Sequence, residues 1–254
     1  MHLKTIKIIN SKNSKTYPFS SKLFQKGFQI DLSPITIIVG ENGVGKSTFL
    51  ESLAHKLGFP ISGGKSQHQQ FYNDLSFVMN FHKLEKFSNL TIGEAIDQRF
   101  NYLSSDNFEL SENMQLVWST QTKKGAFVRS ETFATMINLP LFSNAARMSH
   151  GEGIIDVMQN ISDDGIYILD EPEAGLSPLK IIELMTIIQE KVVEFDSQFI
   201  ISTHSPILML LQNSTLINMT ESQIATKSAC ETSHFLLTKQ ILNNHEEFIK
   251  KHLQ

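Results

Sequence analysis

The apolar residues of this chain gather into short dense blocks separated by stretches of amphipathic spacing. Ile35 to Val39, Gly165 to Leu169 and Gln198 to Ser202 are compact apolar runs. They are too short for helices and scarcely alternate, the pattern of strands covered on both faces. Phe49 to Leu57 has helical spacing, with Gly58 at the C-cap position and Pro60 beyond it. Ile181, Leu184, Met185, Ile188, Val192 and Phe195 mark one face of a second helix, opened by Ser177-Pro178 as N-cap and first turn. Strands and helices that alternate in this way predict an α/β core.

The remaining pattern is weaker. Residues 3 to 9 alternate enough for an edge strand, and the turn formers around Pro18 follow it. From Ile61 to about Asn113 the composition turns polar, with a loop at SGGKSQHQQ and helical periodicity from Thr91 to Leu103, so this part reads as an insertion. Met114 to Trp118 and Ala126 to Arg129 flank Thr122 to Gly125 and predict a hairpin. Small residues Ser149, Gly151 and Gly153 open an apolar-periodic helix through Ile161. Leu216 to Met219 with Gln223 to Thr226 predicts a small hairpin, and Ser233 to Leu253 a helical C-terminus. The resulting layout is one domain over 1–254, with an insertion and hairpin over about 60–130, a short helical region over about 132–165 and C-terminal helices over about 230–254.

Composition narrows the function classes. At 254 residues the chain can bury a sizeable core. The formal net charge is −4 and the basic pairs Lys123-Lys124 and Lys250-Lys251 stand apart, so no basic stripe announces nucleic acid. Cys230 is the single cysteine, which excludes an internal disulfide and a cysteine metal cage and favours a reducing, cytoplasmic setting. No apolar run approaches a membrane span.

The chemistry is concentrated at the ends of the predicted strands. Gly40-Glu41-Asn42-Gly43-Val44-Gly45-Lys46-Ser47-Thr48 follows the first apolar block and precedes the first helix. It fits G-x-x-x-x-G-K-[ST], in which backbone N–H groups cradle phosphates, the lysine reaches the terminal phosphates and a hydroxyl holds Mg²⁺. With glycine at ~7% of average composition, two glycines at this spacing are expected about once by chance in such a chain. The information lies in Lys46-Ser47 and the flanking elements. A dinucleotide fingerprint is disfavoured, since no third glycine follows.

Asp170-Glu171 closes the second buried block. In a phosphate-loop enzyme Asp170 can hold Mg²⁺ through water and Glu171 can polarise the attacking water. His204 closes the third block, where ligands of α/β sheets gather. The glycine-rich start at Ser149 to Gly153 reads either as an anion-facing helix N-terminus or as a tight loop. Tyr17, Phe19, Phe24 and Phe28 are core candidates first and base-stacking candidates second.

Taken together and in this order, these residues resemble the ATP-binding cassette (ABC) class of P-loop ATPases over most of the chain. Gly40 to Ser47 matches Walker A, SHGEG at Ser149 to Gly153 looks like a variant signature motif, IYILDEPEAGLSP matches Walker B running into the D-loop, and STHSP carries the switch histidine. The closest likeness is to small stand-alone bacterial ATPases sometimes labelled AAA-family. The resemblance implies the fold of that class: a mixed sheet core, flanking helices and a small inserted α/β segment. It further implies ATP and Mg²⁺ as ligands, with Lys46 on the β- and γ-phosphates, Ser47 and Asp170 on the metal, Glu171 as general base and His204 at the γ-phosphate. A head-to-tail homodimer would form on ATP binding, with Ser149, Gly151 and Glu152 at the opposite nucleotide.

Two departures from the transporter pattern stand out. His150 replaces the usual glycine, and no lid-loop glutamine is evident, Glu131 being the candidate there and a third candidate metal contact. If Glu131 marks the lid, only Thr132 to Met148 separate it from the signature, too short a stretch for the helical subdomain that grips membrane subunits. Work on a protein or nucleic-acid partner, as in DNA repair or phage defence, is therefore the leading expectation. A transporter subunit, an ATP switch with little turnover and a kinase are the alternatives.

Overall fold

The computed structural model describes residues 1–9, 17–59, 64–65, 108–130, 150–161 and 164–252. The three dense blocks are strands β3 (Ile35–Val39), β7 (Ile166–Asp170) and β8 (Gln198–Ser202), each buried at every position. They sit side by side and parallel at the centre of a mixed sheet that has seven strands among the described residues. Parallel β6 (Gly125–Arg129) and antiparallel β4 (Gly64–Lys65) extend it on one side. Parallel β9 (Ser214–Met219) and antiparallel β10 (Ile224–Thr226) complete it on the other, the latter two forming the expected hairpin.

Alternate residues of the central strands feed two cores. Ile38, Ile168 and Ile200 point into one, with Phe49, Leu50 and Leu53 of helix α2 (Lys46–Lys56). Ile37, Leu169 and Ile201 point into the other, with Ile154, Ile155 and Met158 of α4 (His150–Gln159) and Ile181, Leu184 and Ile188 of α5 (Pro178–Phe195). Two-sided burial explains why these strands show no period of two: each buried apolar side chain contributes about 1.5–3 kcal/mol on either face.

A separate three-stranded antiparallel sheet covers the α2 side, in the order β2 (Phe28–Asp31), β1 (Leu3–Ile8), β5 (Met114–Trp118). Two expectations change here. Residues 3 to 9 are not an edge strand: β1 is the middle strand of this sheet, because alternation reports one buried face and not the number of neighbours. The 114–129 segment is not a hairpin, since β5 pairs with β1 whereas β6 pairs parallel with β7. Their burial separates them, β5 alternating and β6 buried through Ala126, Phe127 and Val128. That difference of period was the readable signal.

Short helices α1 (Lys22–Lys26) and α3 (Phe108–Glu112) border the α2 core. The C-terminal region is two helices, α6 (Ser233–Asn243) and α7 (His245–His252), parted at Asn244. Gly58 adopts φ +77° just past α2, and its N–H donates to the carbonyl of His55 (2.9 Å), as a helix stop requires. The expected helix over 91–103, most of the 60–130 insertion and Pro60 lie outside the described residues.

Candidate phosphate-binding site

The site forms at the C-terminal ends of β3, β7 and β8, where the neighbours of β3 diverge to β8 on one side and β9 on the other. Ligands of open α/β sheets bind at such switch points. The loop from Gly40 to Gly45 leaves β3 and enters α2, whose first turn carries Lys46, Ser47 and Thr48. Two glycines are required by contact. A Cβ on Gly40 would lie 2.2 Å from the carbonyl oxygen of Met219, and one on Gly45, at φ +98°, would lie 2.6 Å from the Phe24 ring. Phe24 is fully buried against the loop, and Phe19 is likewise core. Tyr17 differs, at 52% exposed with its hydroxyl bonded to that of Thr48.

Lys46 is buried, and its Nζ donates to the carbonyls of Gly40 (2.8 Å) and Glu41 (3.0 Å). Burial lowers its pKa, against the opposing pull of Glu171, Asp170 and Glu41. Asp170 is buried at the end of β7, where Oδ1 accepts from Ser47 Oγ (3.4 Å) and from Ser202 Oγ, while Oδ2 lies 3.6 Å from Arg129 Nε. Arg129 also pairs with Glu51.

Glu171 has the left-handed backbone at φ +50°, uncommon for a non-glycine residue and frequent at functional positions. Its N–H donates to Ser202 O (3.1 Å), and its carbonyl accepts from Ala174 N (3.1 Å) and Ser130 Oγ. The backbone is thereby clamped while the side chain, 45% exposed, remains available. Ser47, Arg129, Ser130, Asp170, Glu171, Ala174 and Gly175 line a cleft of about 310 Å³.

His204 follows β8, and its Nε2 lies 3.5 Å from Glu171 Oε1. That distance is beyond a good hydrogen bond, and Nε2 is buried without a hydrogen-bond partner. Burial, reinforced by Lys46, lowers the His204 pKa against the opposing effect of Glu171. Glu173 anchors the loop: its Oε1 accepts from Thr203 Oγ1 (2.6 Å), His204 N (2.8 Å) and Ser205 N (3.1 Å).

These groups fit a phosphate chain with a hard cation. Lys46 supplies a desolvated ammonium, and His204 Nε2 is an orphaned polar atom beside it. Ser47 and Asp170 offer adjacent oxygens. Two oxygen donors are what Mg²⁺ usually takes from a protein, its other positions being filled by water and substrate phosphates.

The structure thus brings together Lys46, Ser47, Asp170, Glu171 and His204. Glu131 and Ser149 lie outside the described residues, and Gly151 and Glu152 fall in the first turn of α4, which packs on the sheet face opposite α2. Sequence reasoning missed Arg129, Ser130, Ser202, Glu173 and His234. The strand-end rule that found Asp170 would also have found Arg129 at the end of β6, Ser130 after it and Ser202 at the end of β8. Glu173 was readable as the third carboxylate of Asp170-Glu171-Pro172-Glu173. His234 had no local signal, being 30 residues from His204.

Comparison with known proteins gives the following. Residues 154–210 match the family model described as "AAA domain, putative AbiEii toxin, Type IV TA system". The chain is 29% identical over 212 residues to the lipoprotein-releasing system ATP-binding protein LolD of Buchnera aphidicola, covering 80% of this chain and 90% of that protein. It is 23% identical over 209 residues to the nickel import system ATP-binding protein NikD of Staphylococcus aureus, covering 78% and 79%. The SMC head domain of Thermotoga maritima superposes with a TM-score of 0.45 at 15% identity, over 90% of this chain and 99% of that one. Among the described residues no helix is long and apolar enough to cross a membrane.

Proposed function

We propose that this chain, an ABC-class P-loop ATP hydrolase, works as a head-to-tail pair that sandwiches two ATP molecules and does work on a partner. The observation that carries the reading is the convergence of Lys46, Ser47, Asp170, Glu171 and His204 at three adjacent strand ends. Lys46 is the phosphate clamp, since its buried ammonium gains most from an anion. Ser47 and Asp170 hold Mg²⁺, which on binding supplies charge neutralisation across the phosphates. Glu171, clamped in backbone and free in side chain, takes the proton of the attacking water. His204 Nε2 meets the terminal phosphate. Arg129 keeps the Asp170 carboxylate turned toward Ser47, and Tyr17 offers the exposed ring for the base.

The pairing of two copies is supported by the position of α4. Its residues Ile154, Ile155 and Met158 pack on the sheet face opposite α2, which agrees with the reading that the Ser149-to-Gly153 stretch serves the site of a second copy. The test is Glu171→Gln. This variant retains ATP, loses about 10²- to 10⁴-fold in turnover, the usual worth of a positioned base, and elutes as an ATP-bound dimer in light-scattering chromatography. Wild-type turnover removes Glu171 from its role, and a monomer at saturating ATP and Mg²⁺ removes the sandwich.

The partner we favour is a protein or nucleic acid in DNA repair or phage defence, for which the stand-alone likeness is the support. The trapped dimer, used as bait, retains that partner. The names of LolD and NikD favour a second reading, the ATP-binding subunit of a transporter. Co-sedimentation of the natively expressed protein with membranes selects it, and recovery only in the soluble fraction rejects it.

A further inference from the structure

The first turn of α6 reaches the nucleotide site, although nothing in its sequence marks it as part of one. Ser233 Oγ donates to Glu41 Oε1 of the phosphate loop (2.9 Å). The neighbouring His234 places Nε2 2.9 Å from His204 Nδ1, with the two rings 4.8 Å apart and inclined by 60°. This is not a by-product of helix packing, for α6 buries no residue along its length. The turn is held by polar contacts instead. The N-cap Thr232, 1% exposed, accepts from Phe235 N (3.3 Å) and sets its hydroxyl against Ala229 O (2.8 Å) and Met209 Sδ (3.5 Å). Met209 belongs to the short helical turn at Leu208–Leu210, just after the His204 loop.

We infer that His234 is a positioning residue that sets the tautomer of His204, so that α6 is a built part of the hydrolytic site. The inference rests on the reading of His204 as the terminal-phosphate contact. A neutral imidazole carries one donor and one acceptor, and the hydrogen bond at one nitrogen decides what the other offers. His204 Nε2 faces the Glu171 carboxylate at 3.5 Å. A lone pair there repels the carboxylate and any phosphate, whereas an N–H attracts both. Nε2 therefore carries the proton and Nδ1 accepts, which requires His234 Nε2–H to be the donor. Among the described residues Lys46, Glu171, His234 and Glu41 act on the His204 ring and Glu173 holds its backbone N–H, and burial together with Lys46 favours the neutral form. A protonated His204 has no acceptor for His234.

The test combines spectroscopy with kinetics on the full chain. In ¹⁵N imidazole spectra of the nucleotide-free protein, His204 shows a protonated Nε2 and a bare Nδ1. His234→Phe, which keeps a ring and removes the donor, erodes that tautomer and lowers kcat about 10- to 100-fold, by analogy with the loss of the group that orients a metal-bound histidine. ADP affinity, which involves no terminal phosphate, stays unchanged. His234→Gln, which can restore an N–H near Nε2, recovers most of the lost turnover. In a His204→Ala background, His234→Phe adds nothing. A protonated Nδ1 in the wild type overturns the inference, as does full turnover in His234→Phe while His204→Ala is impaired. Full turnover in His204→Ala instead removes the phosphate-contact reading, and the spectrum alone then decides the tautomer.

Discussion

The two ends of the same three central strands differ in how their polar groups are used. At the N-terminal ends, buried Gln198 has every hydrogen-bonding capacity engaged. Its Oε1 accepts from His2 N (3.1 Å) and Leu3 N (2.8 Å), and its Nε2 donates to Leu3 O (2.8 Å) and Ser33 O (3.2 Å). That network ties the three-stranded sheet to the seven-stranded one. At the C-terminal ends His204 Nε2 and Glu173 Oε2 are buried without hydrogen-bond partners, and Lys46 is desolvated. A buried polar group left unpaired costs about 1–3 kcal/mol. The N-terminal ends are not free of that cost, since both ring nitrogens of His2 are buried without a hydrogen-bond partner. What sets the C-terminal ends apart is that His204 Nε2 faces Glu171, a wall of the cleft, where a ligand could complete the bonding.

Lys46→Ala breaks the comparison most directly. Turnover falls at least 10²-fold, the scale of removing a preorganised group that meets developing charge. The ATP-dependent rise in melting temperature is lost with it, because that rise measures binding to the folded state. The melting temperature of the nucleotide-free protein changes little, since the substitution also removes a buried, desolvated charge. Differential scanning fluorimetry with and without nucleotide checks both statements. A large fall in the nucleotide-free melting temperature would move Lys46 to the structural end of the comparison.

Gln198→Leu is the counterpart, with a smaller effect of the opposite kind. It strands the N–H groups of His2 and Leu3 and the carbonyls of Leu3 and Ser33. A buried group left unpaired costs about 1–3 kcal/mol and the loop can relax around some of them, so the expected loss is about 2–3 kcal/mol, or roughly 4–12 °C in melting temperature for a chain of this size. Activity per folded molecule stays at the wild-type level. A Gln198 variant that unfolds no earlier but turns over slowly would show that the two ends are not separable.

Much of the candidate site was legible because its signals are local. The phosphate loop, Asp170-Glu171 and His204 each follow an apolar block, and the block predicts the strand that aims them. The sheet to which a strand belongs is not local information. Leu3 to Ile8 reads the same as an edge or a middle strand, and Met114 to Trp118 reads as half of a hairpin until β1 claims it. The Gln198 network was illegible for the same reason: nothing near Gln198 reveals that its amide meets residues 195 positions away. His234 escaped notice likewise, as did the role of Phe24, whose ring fits only because position 45 is glycine.

Asp164→Asn sharpens the comparison from its weakest member. Asp164 sits just before β7, at the same end as Gln198, and pairs with Lys124 at 2.5 Å. The side chains are 54% and 56% exposed, so water and salt screen the pair and side-chain entropy opposes it. The Asp164 pKa is lowered, first by the hydrogen bond from Lys124 and then by its charge. A depressed folded-state value means any stabilisation is present above the ordinary carboxylate pKa and is lost as pH falls through the lowered one. Asp164→Asn therefore leaves melting temperature and turnover unresolved from wild type at neutral pH and physiological salt. A resolved difference between the two proteins appears, if anywhere, at low ionic strength and closes as the pH drops into the carboxylate range. A loss at neutral pH as large as that of Gln198→Leu would show that hydrogen bonding at this end matters whether or not it is buried.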